Sequence, residues 1–159
     1  MSKKILFLDR DGVINRRAEE HHYITKVEDF VFNDGIFDML NKFIEKGFEI
    51  IVITNQRGVA REILSLDDLR NIHSYMIGFF KKNGIAVLDI FYCPHNEGVC
   101  NCRKPRPGLL EQACLKYNID LEKSVLISDS ASDIRMGIDF GINKNYLIEL
   151  NNPKLLNID

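Results

Sequence analysis

Ile5-Leu6-Phe7-Leu8-Asp9-Arg10-Asp11-Gly12, residues 5–12, is the stretch from which the rest of this chain can be read. Four consecutive apolar residues followed at once by two carboxylates describe a strand buried on both faces that ends at a polar site. Alternate residues of an extended segment point the same way, so Asp9 and Asp11 can face one cavity. Gly12 then permits a backbone turn that a larger residue would resist. Two carboxylates this close repel unless a cation or a shared proton intervenes. A hard divalent cation takes oxygen ligands, and magnesium typically uses one or two carboxylates together with substrate phosphate.

Outward from this stretch, apolar strands and helices alternate. Ile36, Phe37, Leu40, Phe43 and Ile44 have helical spacing within residues 34–46, with Asp34 as the expected cap and Gly47 as the stop. Ile50-Ile51-Val52-Ile53 is a second buried strand. A second helix is expected from Ser65 to Asn83-Gly84, with Asp67 and Asp68 in its positive first turn. Residues 88–92 read as a strand, 108–117 as a helix, 124–128 as a strand, 134–140 as a helix and 146–148 as a last short strand. This alternation predicts an α/β, Rossmann-like domain: a mainly parallel sheet covered by helices on both faces. Ligands of such sheets bind beyond the C-terminal strand ends. Asp9-Arg10-Asp11, Thr54-Asn55-Gln56, Cys93-Pro94-His95 and Asp129 stand just there, which argues for one composite site.

The 159 residues fit one domain, expected to span residues 1–159, and 45% of them are hydrophobic. Lysine and arginine number 21 against 23 acidic residues, for a net charge of −2, which does not favour nucleic acid as a partner. No apolar run approaches a membrane span, and the run behind Lys4 is too short for a signal peptide. A cytoplasmic protein is expected, and a monomer, because the pattern shows no apolar surface stripe.

The chemistry follows from the acidic set. One carboxylate can attack phosphorus while the other protonates the leaving oxygen and later activates water. The Thr54 hydroxyl and the N–H groups of Thr54-Asn55 can hold phosphate oxygens, and Lys104 can neutralise transition-state charge. Cys93, His95, Cys100 and Cys102 place three thiolates and one imidazole within ten residues. Four such ligands closing a tetrahedron describe a structural zinc site, the alternatives being a disulfide or free thiols. Cys114 reads as a buried apolar residue, His73 as a helix-face residue, and His21 and His22 as loop residues open to surface or substrate roles.

Residues 7–15, then Thr54-Asn55-Gln56, Lys104, and Asp129 with Asp133, resemble the four motifs of the haloacid dehalogenase-like phosphatases, and the likeness covers essentially the whole chain. The resemblance implies a capless enzyme with Asp9 as nucleophile, Asp11 as general acid and base, Thr54 on the transferring phosphate and Lys104 steadying it. It implies magnesium held by Asp9, the Asp11 carbonyl and Asp129, with Asp133 in support. The family usually has glycine before the first aspartate of its last motif, where this chain has Ser128; serine is small, so activity is expected to survive. Cys-Pro-His followed by Cys-x-Cys-Arg-Lys-Pro is similar to the zinc-bearing subgroup that includes D,D-heptose 1,7-bisphosphate phosphatases and histidinol-phosphate phosphatases. Asp11 to Asn15, His22-Tyr23-Ile24 and Lys104 to Gly108 favour the heptose enzymes, which implies removal of a 7-phosphate. The short interval between His95 and Cys100 argues partly for the histidinol enzymes. Asn15, Asn55 and Gln56 are candidates for substrate contact, and Arg57 and Arg103 for a second, retained phosphate. Rival classes are a zinc-stabilised binding module without catalysis and a nucleic-acid 3′-phosphatase, which would want a basic track.

Overall fold

Ile5–Leu8 forms the first strand, β1, and its four fully buried side chains divide between two cores. Leu6 and Leu8 enter one, and Ile5 and Phe7 the other. A strand apolar on both sides needs cover on both sides. Glu49–Asn55 (β2), Val87–Cys93 (β3), Val125–Ser128 (β4) and Lys144–Leu147 (β5) pair parallel with it in the order β3-β2-β1-β4-β5. The computed structural model describes residues 1–157, except the side chain of Leu155.

Helices Ile36–Glu45 (α1) and Leu66–Lys82 (α2) cover the Leu6 and Leu8 face, burying Met39, Leu40 and Phe43 from α1 and Leu69, Ile72, Met76 and Phe80 from α2. Helices Gly108–Lys116 (α3) and Ala131–Phe140 (α4) cover the other face through Leu109, Leu110, Ala113 and Met136. The result is the three-layer α/β arrangement expected from the alternation. Ser65 caps α2 in a reciprocal box with Asp68, its hydroxyl accepting from the Asp68 N–H at 3.0 Å. Asp34 does not cap α1. Gly35 takes the cap position with φ +80°, a conformation open to glycine, and a side chain there would strike Lys154. β5 begins two residues earlier than its apolar pattern suggests, because an edge strand half open to solvent carries a weak hydrophobic signal.

Register decides where the site lies. Leu8 of β1 stands opposite both Val52 of β2 and Ile127 of β4, so β4 ends one residue past β1, and β2 runs on to Asn55 beside it. The chain winds from β1 out to β3, then crosses back to β4 on the other side of β1. Such a reversal opens a crevice at the C-terminal ends of the two central strands. Asp9 and Asp129 emerge there. Among the described residues, no helix is long and apolar enough to cross a membrane.

Candidate active site

Asp9 is almost fully buried, and its Oδ1 accepts hydrogen bonds from Lys104 Nζ and from the Arg10 N–H, both at 2.9 Å. Lys104 Nζ also donates to Asp133 Oδ2 at 2.8 Å, so one ammonium bridges two carboxylates. Burial raises the Asp9 pKa to about 7, with the neighbouring Asp133 and Asp11 adding to the rise and Lys104 opposing it. Burial would lower the Lys104 pKa, but Asp9 and Asp133 outweigh it and hold the ammonium above the ordinary lysine value. Ser128 is fully buried, and its hydroxyl donates to the same Asp133 Oδ2 at 2.9 Å while accepting from the Ser130 N–H. The residue that departs from the family pattern is therefore built into the Lys104–Asp133 clamp.

Asp11 is held from three directions. Arg10 donates to it through Nε and Nη2, Asn15 Nδ2 donates to Oδ1 at 2.9 Å, and Gln56 Nε2 donates to Oδ2 at 3.0 Å. Burial works against ionisation here, yet Arg10 and these donors keep the carboxyl below its usual pKa. Arg10 itself is buried, and its Nη1 lies 3.1 Å from Nε2 of His73, 63 residues away on α2. Burial first, and Arg10 second, push the His73 pKa down to about 3, so the ring is neutral and accepts from the guanidinium.

That depression carries a stability prediction. The unfolded histidine takes up a proton near pH 6.5, the folded one near 3, so stability falls as pH drops through this window. Going from pH 6.5 to pH 5 should cost up to about 2 kcal/mol through this residue. Urea unfolding at both pH values is expected to show that loss in the parent and a clearly smaller one in His73→Gln, which keeps an acceptor for Arg10.

Asp129 follows β4, and its side chain is only 2% exposed. Oδ2 meets Arg17 Nη2 at 2.8 Å, while the buried Oδ1 has no hydrogen-bond partner among the described residues. Gly12, at φ +92°, lies against it, and a Cβ there would come within 2.6 Å of Oδ2. An unpartnered buried carboxylate oxygen beside Asp9 suits the oxygen-donor chemistry of a magnesium ion.

At the end of β3 the four ligand atoms of Cys93, His95, Cys100 and Cys102 all lie within 4.8 Å of one another, a cluster that could hold a metal ion. Cys93 Sγ stands 3.5 Å from Cys100 Sγ, and His95 Nδ1 3.2 Å from Cys102 Sγ. These separations suit a zinc tetrahedron, whose edge is about 3.8 Å for Zn–S bonds of about 2.3 Å. The loop leads directly to Lys104, whose N–H and carbonyl are both bonded to the Asn55 side chain.

A cavity of about 350 Å³ opens on these groups and is lined by Asp9, Asp11, Asn55, Gln56, Arg103 and Lys104, with Arg17 and His22-Tyr23-Ile24 on its far wall. Arg103 reaches it, with a buried Nη1 that has no hydrogen-bond partner among the described residues. Thr54 is buried and is not on the cavity wall, its Oγ1 accepting from Gln56 Nε2 at 2.9 Å. Two expected substrate contacts are placed elsewhere. Asn15 is fully buried and spends its amide on Asp11, and Arg57 is not on the cavity wall but donates to Asn96 Oδ1 of the cysteine loop at 3.1 Å. His22 is on the wall, whereas His21 is exposed. The motifs assign no role to Arg10, Arg17 or His73: Arg10 meets His73 across 63 residues, and Arg17 meets Asp129 across the sheet's strand ends.

Comparison with known proteins agrees with this geometry. The model of the family described as polynucleotide kinase 3 phosphatase matches residues 4–147. The D-glycero-alpha-D-manno-heptose-1,7-bisphosphate 7-phosphatase of Photorhabdus laumondii is 41% identical over 94% of this chain and 85% of its own. The D-glycero-beta-D-manno-heptose-1,7-bisphosphate 7-phosphatase of Helicobacter pylori is 38% identical over 96% and 87%. A crystal structure of D,D-heptose 1,7-bisphosphate phosphatase from B. bronchiseptica, complexed with magnesium and phosphate, superposes with a TM-score of 0.85 at 28% identity, covering 95% of this chain and 83% of that one. With motifs, topology and relatives in agreement along nearly the whole length, this chain belongs to the polynucleotide kinase 3 phosphatase family of haloacid dehalogenase-like phosphatases.

Proposed function

We propose that this enzyme removes the 7-phosphate of D-glycero-D-manno-heptose 1,7-bisphosphate, using magnesium at the Asp9–Asp129 site and zinc as a structural ion in the cysteine loop. The carrying observation is the Lys104 ammonium held between Asp9 and Asp133, with Asp129 following the strand that pairs with β1. The substrate reading is supported by relatives named for this activity that match over 94–96% of this chain and 85–87% of their own length.

Both bonds to Asp9 go to Oδ1, so Oδ2 is the oxygen offered to phosphorus. Its attack forms an aspartyl phosphate and breaks the bond between phosphorus and the sugar oxygen. Asp11 is ionised in the empty cavity, but an arriving phosphate dianion raises its proton affinity by like-charge proximity. It takes up a proton from solvent or from the substrate's own phosphate monoanion, gives that proton to the leaving oxygen, and afterwards takes one from the water that attacks phosphorus and frees Asp9. Lys104, already fixed by Asp133, neutralises charge on the transferring group without reorganising. A bound magnesium supplies further charge neutralisation at the phosphate oxygens, with Asp9, the Asp11 carbonyl and Asp129 as its candidate ligands.

The test is phosphate release in magnesium from both heptose bisphosphate anomers, histidinol phosphate, simple sugar phosphates and a 3′-phosphorylated oligonucleotide. Strong preference for one heptose bisphosphate anomer is expected. Preference for histidinol phosphate or the oligonucleotide would overturn the substrate assignment and keep the chemistry.

The zinc assignment makes its own prediction. Cys100→Ser should lower bound zinc well below one equivalent by mass spectrometry of metals. It should also lower the Tm by about 5 °C, because the loop carrying Arg103-Lys104 loses its clamp. Unchanged zinc content would remove Cys100 from the ligand set. Such a thiolate site also suits the reducing cytoplasm as its compartment.

A further inference from the structure

Arg17 follows β1 on the loop that forms the far wall of the cavity, and the steps above make no use of it. Its backbone is fixed: its N–H donates to Asn151 Oδ1 at 2.8 Å, and the Asn151 N–H donates to the Gly12 carbonyl at 2.9 Å. Its side chain is far freer, being 46% exposed and joined to Asp129 Oδ2 through Nη2. Asp129, by contrast, is buried and keeps Oδ1 unpartnered. A buried carboxylate with an unmet oxygen is costly unless further positive charge arrives. A divalent cation seated on Asp129 would stand within a few ångströms of this guanidinium, and like charges that close repel strongly away from bulk water. Of the two, the exposed guanidinium on a flexible stem is the one that can leave. Once released it remains on the cavity wall, where Arg103 Nη1 is a second cationic donor without a partner.

We propose that Arg17 is a placeholder cation on Asp129, displaced by the divalent metal and thereby freed to bind the retained phosphate of the substrate together with Arg103. The displacement stands on the ion pair alone; the phosphate contact rests on the bisphosphate reading given above. Coupling of this kind makes the enzyme a better receptor for a doubly anionic substrate only when metal is already in place. It also fixes a direction that a merely supportive residue would not produce. Loss of a residue that supports a metal site weakens metal binding, whereas loss of a competing cation strengthens it.

The experiment is calorimetric titration of magnesium into zinc-loaded, magnesium-free protein without substrate, comparing the parent with Arg17→Gln and Arg17→Lys. Arg17→Gln should bind magnesium about three- to fivefold more tightly, the worth of a partly exposed ion pair, and Arg17→Lys should fall between. Unchanged or weaker binding in Arg17→Gln, with an unchanged melting curve, would overturn the displacement. At saturating magnesium, Arg17→Gln should raise KM for the heptose bisphosphate about tenfold, as expected for loss of a charge-assisted hydrogen bond, and leave KM for a sugar monophosphate nearly unchanged. Equal changes for both substrates would overturn the phosphate contact. Tighter magnesium binding in a protein that turns over no bisphosphate would leave the displacement standing and refute the substrate assignment instead.

Discussion

Asp9→Asn should lower kcat by roughly 10⁴-fold or more while the protein remains folded, because loss of a covalent nucleophile removes the reaction path and not merely one stabilising contact. The amide keeps the shape of the carboxylate, and its oxygen can still accept from Lys104 and from the Arg10 N–H, both now at 2.9 Å from Oδ1. It also relieves burial of a charge, the main cause of the raised Asp9 pKa, so its stability should hold or rise. Steady-state phosphate release and urea unfolding on the same preparation separate the two effects. Activity within tenfold of the parent would remove Asp9 from the reaction.

Lys104→Met should show the opposite pairing, with activity and stability falling together. Deleting a preorganised donor to a transferring phosphoryl group should cost about 10²- to 10³-fold in kcat. The buried Asp9 and Asp133 carboxylates would also lose their shared counterion, and breaking such a pair costs about 3–5 kcal/mol. A second change, Asp133→Asn, removes one of the stranded charges. The double variant should therefore recover much of the lost stability and none of the lost activity, a coupling that a double-mutant cycle measures. A fully stable Lys104→Met would mean that the clamp between Asp9 and Asp133 does not contribute to folding.

Much of this was legible in the chain because it depended on local pattern. Ile5–Leu8 reads as doubly covered, and its alternating side chains do enter two separate cores. The cysteine and histidine ligands are close in sequence, so their clustering needs one loop and no knowledge of the tertiary fold. Asp9 and Asp129 could be placed together because strand ends of a parallel sheet converge, a rule of topology, and Lys104 joined them through the resemblance to the family motifs.

What was hidden depended on which partner each polar side chain takes in space. His73 looks like any residue on a helix face, and only packing of α2 against β1 puts its ring on Arg10. Asn15 carries an amide suited to a ligand, yet its isolated bridge to Phe32 buries it behind Asp11. Arg57 follows the Thr54-Asn55-Gln56 motif, but its guanidinium turns to Asn96 and not to the cavity. Ser128 looked like a departure to be tolerated, whereas its hydroxyl is one of the two donors that fix Asp133 Oδ2. Charged and polar side chains choose partners by three-dimensional proximity, for which spacing along the chain carries no signal.

A double displacement at phosphorus through Asp9 can be read by stereochemistry, without any need for the intermediate to accumulate. Each in-line displacement inverts the configuration at phosphorus, so attack by Asp9 followed by attack of water restores it. Turnover, in water of the third oxygen isotope, of a substrate whose transferring group is a thiophosphoryl carrying the other two should yield chiral thiophosphate with retained configuration. Inversion would mean that water attacks the substrate directly and that Asp9 is no nucleophile.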